Sequence, residues 1–104
     1  MKAARVVYND CYGGFSLSKA AIDLFVFRTG ATPDEYGRYN YTRHDPELVA
    51  IVEELGVAAG AIGTSLRIDE GVGFYRIHDH DGQETVEWFD PGEDWIDPNE
   101  QSRT

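Results

Sequence analysis

One cysteine and three histidines are the side chains best suited to chemistry in this 104-residue chain. Cys11 sits between Asp10 and Tyr12, just ahead of Gly13-Gly14. A turn there would expose a thiol near a helix start, where the local field lowers a thiol pKa. With His44 as base, that thiol would become a nucleophile. A cysteine packed after a strand is the simpler account, because Cys is among the most buried residue types. His78 and His80 alternate within His78-Asp79-His80-Asp81. On a strand they share one face, about 7 Å apart. That spacing suits a metal ion, with Glu84 or Glu87 as the nearest further ligands. A solvated hairpin end explains the same residues more simply. No catalytic residue is assigned, and no metal or other cofactor is expected.

A second group could take a ligand. Asn9-Asp10-Cys11-Tyr12-Gly13-Gly14 resembles a strand-to-helix turn, and free N–H groups at a helix start attract anions. It lacks the Lys of a phosphate-binding loop and any G-x-G-x-x-G pattern, so turn chemistry alone accounts for the glycines. Arg43 and His44 precede Asp45-Pro46, which have structural reasons to be there. Arg43 is free to pair with a carboxylate of the Asn9-Asp10 turn. A pocket formed by Asn9, Asp10, Tyr12, Arg43 and His44 is therefore the expected small-ligand site.

The largest chemical asymmetry is charge. The net charge is −10. Residues 1–68 carry seven basic and eight acidic side chains, whereas residues 69–104 carry two basic and eleven acidic ones. Direct nucleic-acid binding needs clustered Lys and Arg, so it is disfavoured. A basic partner fits better. Acids on one strand face recur near 7 Å, close to the phosphate spacing of a DNA strand. Asp79, Asp81, Glu84, Glu87, Asp90, Glu93 and Asp94 are the candidate partner-binding acids, with Trp95 as an aromatic anchor among them. Solubility is the competing explanation for the same charge.

The elements that must position these residues follow from pattern. With 41% apolar and 12% aromatic residues, the chain is suited to one modest core rather than to disorder. Residues 1–98 are expected to form one α+β domain, and 99–104 a frayed end. Ala3–Tyr8 reads as a strand. Phe15–Arg28 reads as a helix, with Ser16 as N-cap and Phe15 stapled to Ala20. A short helical turn is expected at Pro33–Tyr36. The second helix has Asp45 as N-cap, Pro46 at the first position and Gly56 at its end. Ser65–Asp69, Phe74–His80 and Gln83–Phe89 then alternate as strands. Glu70–Gly73 is expected to turn between the first two, and Asp81-Gly82 to form a type I′ hairpin. The order is β-α-α-β-β-β, with the last three strands as an antiparallel meander and an acidic tail after them.

No apolar run approaches the ~18 residues of a membrane helix. No signal-peptide pattern is evident, and the single cysteine allows no intrachain disulfide. A cytoplasmic, intracellular protein without a membrane partner is expected, with pairing of two copies left open.

YNDCYGGFSLS (8–18), RHDPELVAIVEELG (43–56) and YRIHDHDGQETV (75–86) together resemble a family of small proteins from bacteriophage and other viral genomes. Its pattern is VYNDCYGGFSLS, then RHDPxLVxVVExLG, then YxIxEYDGxExV. This chain has His78-Asp79-His80-Asp81-Gly82 where the family more often shows E-Y-D-G. The resemblance implies a phage or prophage origin in an infected bacterial host, and carries no established chemistry. Small acidic phage proteins are often inhibitors of host factors or of host defence. The leading expectation is thus a non-enzymatic, anti-defence inhibitor, for example an anti-CRISPR protein. It would engage a host nucleic-acid-handling complex with a basic groove. A small module for a nucleotide or signalling molecule is the alternative, and an enzyme using Cys11, His44, His78 or His80 the third.

Overall fold

The structure is a computed structural model that describes residues 3–89. The chain runs β1 (Ala3–Asn9), α1 (Lys19–Thr29), α2 (Pro46–Leu55), a 3-10 turn at Gly56–Ala59, β2 (Leu66–Val72), β3 (Phe74–His80) and β4 (Gln83–Phe89). The α+β class and the element order match the sequence pattern. Asp90, Glu93, Asp94 and Trp95 lie outside the described residues.

The expected three-stranded meander does not form. β2 pairs antiparallel with β1, from Ala3↔Val72 to Asn9↔Leu66. Among the described residues β3 pairs only with β4, which gives two two-stranded sheets. The cause lies at the β2–β3 junction. Glu70, Gly71 and Val72 are strand rather than turn, and Gly73 alone separates β2 from β3. A tight hairpin needs two loop residues. A single residue at φ 105° instead turns a corner, which glycine permits, and carries β3 into another layer.

The second hairpin follows its sequence signal. His80 pairs with Gln83 across a two-residue loop. Asp81 and Gly82 take φ of 54° and 89°, as a type I′ turn requires. Asp79 Oδ1 accepts the Gly82 N–H at 2.8 Å and holds the turn from outside.

α2 also begins and ends as its caps dictate. Asp45 Oδ1 accepts the Glu47 N–H at 2.9 Å, Pro46 opens the helix, and Gly56 closes it. Leu48, Val49, Ile51 and Val52 form its buried face. α1 starts later than expected. Its N-cap is Ser18, not Ser16; Ser18 Oγ accepts from the Ala21 N–H and donates to Ala58 O. Leu17 bridges to Gly60, which holds residues before Ser18 extended. Phe15 consequently leaves Ala20 and packs against Tyr41. At residues 33–36 an Asp34-centred turn replaces the expected helical turn, with Asp34 Oδ1 accepting from the Tyr36 and Arg38 N–H groups.

Three layers result. Val7 joins Leu17, Ala21, Phe25, Leu48, Val49, Ile51, Val52 and Ala59 in one cluster, with Leu66 and Ile68 against it. Val6, on the opposite face of β1, is also fully buried. β4 packs against β1 and β2 on that side. Trp88 lies over Gly71, where a Cβ would overlap its indole, and its Nε1 donates to Asp69 Oδ2 at 2.9 Å. The β1–β2 ribbon therefore lies between the two helices and the β3–β4 hairpin.

Candidate functional site

The β1 edge facing away from β2 is closed by a loop carbonyl and a carboxylate rather than by a strand. The Val7 N–H donates to Arg43 O at 2.9 Å. Two residues on, the Asn9 N–H donates to Glu84 Oε1, also at 2.9 Å. Arg43 bridges these points. Its two terminal nitrogens donate to Glu84 Oε1 and Oε2 at 2.7 and 2.9 Å, a two-pronged pairing that aligns both planar groups. Its guanidinium also lies 3.7 Å from the Phe15 ring centre, which spreads charge over an aromatic face.

Asn9 is fully buried. Its Nδ2 donates to Cys11 O and Gly82 O at 2.7 and 2.9 Å, and its Oδ1 accepts the Ser65 N–H at 3.0 Å. One side chain thus ties together the 9–11 turn, the β3–β4 turn and the entry to β2. Asp10 pairs with Arg67 at 2.9 Å and accepts from Gln83 Nε2. Tyr12 is 61% exposed. The Asn9 side chain is thus buried and engaged within the fold, whereas Asp10 is partly exposed beside Arg67. Arg43 finds its carboxylate on β4, not in the Asn9-Asp10 turn.

His44 Nδ1 and the Tyr75 hydroxyl share a hydrogen bond of 2.7 Å. Tyr75 is buried, and burial pushes its phenol up to about 12, with the nearby Arg43 charge opposing. Cys11 is half-buried, and its carbonyl is held by Asn9.

The hairpin register sorts its residues onto two faces. Tyr75 and Ile77 lie opposite Trp88 and Val86, with Asp79 opposite Glu84, on the inward side. The other face carries Arg76, His78 and His80 with Thr85 and Glu87. Glu84, expected among the partner-binding acids, is 4% exposed and bound by Arg43. It is withdrawn from any contact surface, because alternation places it inward with Val86 and Trp88. Glu87 remains exposed, yet His78 Nε2 at 2.7 Å and Arg76 Nε at 2.9 Å both engage it and hold its carboxyl below the usual range. The acids of the hairpin therefore do not form one stripe; Asp79 and Asp81 at its tip are exposed. His78 and His80 share a face as expected, but among the described residues no three His, Cys, Asp or Glu side chains are placed to hold a metal ion.

Sequence reasoning missed a groove of about 500 Å³ between the start of α1 and the loop before α2. Phe15, Arg38, Tyr39, Asn40, Tyr41 and Arg43 line it. Tyr36, Tyr39 and Tyr41 fall within six residues, a density that suits a core edge or a contact surface, and the last two line the groove. Among the described residues no helix is long and apolar enough to cross a membrane. No family model, curated protein or solved structure matches the chain.

Proposed function

We propose that the protein is a non-enzymatic binding module of the phage anti-defence kind, engaging a host protein with a basic groove through its surplus acidic side chains. The supporting observation is the pairing of charge. Each of the seven Lys and Arg side chains among the described residues is ion-paired: Arg5 with Glu53, Lys19 with Asp23, Arg28 with Glu54, Arg38 with Asp34, Arg43 with Glu84, Arg67 with Asp10 and Arg76 with Glu87. Positive charge is thus neutralised within the fold. Glu35, Glu47, Glu70, Asp79 and Asp81 are among the acids in excess, and five more follow Phe89 in sequence. A field of one sign steers a basic partner and repels nucleic acid.

A guide-loaded CRISPR effector and labelled target DNA provide the test. The protein is expected to compete with DNA, less strongly as salt rises. A variant carrying Asp81→Asn together with Asp90→Lys, Glu93→Lys and Asp94→Lys is expected to lose that competition at unchanged Tm. Asn is chosen at 81 because it tolerates positive φ. Glu87 stays intact because it holds Arg76 and His78. Equal competition by both proteins would sink the acidic-surface reading, and none from the parent would remove this class of complex as partner.

A further inference from the structure

The groove of about 500 Å³ has the size of a small-molecule site, and none of its lining residues belongs to the β3–β4 hairpin. Its wall is aromatic. Tyr41 meets Phe15 at 6.1 Å and Tyr39 at 6.4 Å between ring centres, and its own position is fixed by an edge contact with Phe25 at 5.0 Å. Tyr39 and Tyr41 are two residues apart, and their planes differ by 33°. The two rings are tilted rather than stacked on one another, so the half-buried Tyr39 ring keeps a face for a flat ligand. The Asn40 amide and the hydroxyls of Tyr39 and Tyr41 have no hydrogen-bond partner among the described residues. The site therefore combines planar stacking surface with unused donors and acceptors.

Charge narrows the ligand. A cation is disfavoured because no acidic side chain is among the lining residues to pair with it. An anion is disfavoured as well. Arg43 is already matched at both prongs by Glu84, and Arg38 sits 3.7 Å from Asp34 with its guanidinium over the Tyr36 ring. The net charge of −10 adds a general repulsion of anions. What remains is an uncharged planar molecule with a hydrogen-bonding edge. We propose that this groove binds a nucleobase or nucleoside, stacked on Tyr39 and Tyr41, with the Asn40 amide reading the edge of the base. An Asn side chain can both donate and accept, which matches the paired acceptor and donor on a base edge.

The experiment titrates adenosine, guanosine, cytidine, uridine and, as a non-planar control, glucose into the full chain. Backbone amide shifts in two-dimensional NMR and the Tm are both followed. Saturable shifts confined to residues around Phe15 and 37–43 are expected for at least one nucleoside and not for glucose. Tyr39→Ala should weaken binding roughly tenfold, the usual scale for loss of a base-stacking ring. Tyr39→Phe should retain stacking, and Asn40→Ala should reduce discrimination between bases. Both positions are outside the buried core, so an unchanged Tm in the absence of ligand verifies folding. Adenosine monophosphate should bind no more tightly than adenosine, since Glu84 matches Arg43 at both prongs and the Asp34 carboxylate stands beside Arg38. The proposal is overturned if no nucleoside gives saturable shifts, if glucose matches them, if Tyr39→Ala binds as the parent does, or if the phosphate improves affinity tenfold.

Discussion

Arg43 and Glu84, forty-one positions apart, meet prong to prong at 2.7 and 2.9 Å, and the same Glu84 carboxylate accepts the backbone N–H of Asn9. The pair does for β1 what a third strand would otherwise do. It closes an edge that would present unpaired backbone groups, and it ties the hairpin layer to the segment that starts α2.

Breaking that pair from either side leaves a charge in a poorly solvated place. Glu84 is nearly inaccessible, and the Arg43 side chain is one-fifth exposed. Arg43→Met and Glu84→Gln are each expected to lower unfolding stability by about 3 kcal/mol, at the lower end for broken buried pairs. The double variant should lose much less than the sum, because neither charge is then stranded. Urea unfolding followed by tryptophan fluorescence gives all three values, and additive losses would contradict the coupling.

How much of this was legible depended on sequence distance. The Asp45-Pro46 start of α2 and the Asp81-Gly82 turn were readable because a few adjacent residues determine each. Ser16 and Ser18 were locally equivalent as caps. The bridge from Leu17 to Gly60, more than forty residues away, decides between them. The meander failed for the same reason: β2 selects β1, whose register no local pattern encodes. Glu84 shares parity with Val86 and Trp88, so its inward direction was present in the alternation. Its burial needed Arg43, which only the tertiary fold supplies.

The Gly71–Trp88 contact should be intolerant of a single methyl group. A Cβ at Gly71 would lie within the indole, and Trp88 is held in place by its bond to Asp69. Gly71→Ala is expected to cost about 2 kcal/mol, the usual range for overpacking. Trp88→Leu in the same background should recover part of the loss by relieving the overlap. Denaturant midpoints of the two variants check this, and a neutral Gly71→Ala would refute it.

Alkaline pH should destabilise the fold through Tyr75. Its phenol titrates at about 12 when folded and near 10 when unfolded. Below pH 10 both states are protonated and the full stability is present. Between 10 and 12 the unfolded chain gives up the proton and the folded one keeps it, so stability falls as pH rises. Tyr8 and Tyr41 are raised by burial too and add to the slope. Urea midpoints from pH 9 to 12 should therefore decline, and Tyr75→Phe should flatten the decline without abolishing it. An unchanged slope in that variant would show that Tyr75 is not the main source.

Asn9→Asp is the substitution that isolates the polar junction from its shape. The two side chains have nearly the same volume, yet the Nδ2 donor that now serves Cys11 O and Gly82 O becomes an acceptor facing two carbonyls. The Glu84 carboxylate, held by the Asn9 N–H, adds a like charge nearby. Both effects disfavour ionisation, so the introduced carboxyl should titrate above its unfolded value near 4. At neutral pH the variant must either bury an unsupported charge or hold a proton, and a loss of about 3 kcal/mol or more is expected. Stability falls as pH rises from the unfolded to the folded pKa of that group, so the penalty relative to the parent should shrink toward pH 4. Paired urea titrations at pH 4.5 and 8 measure the difference. Asn9→Ala, which also loses the donor but introduces no charge, should show a penalty that does not follow this pH trend. If both variants respond to pH alike, the charge explanation fails and loss of the hydrogen bonds alone accounts for the effect.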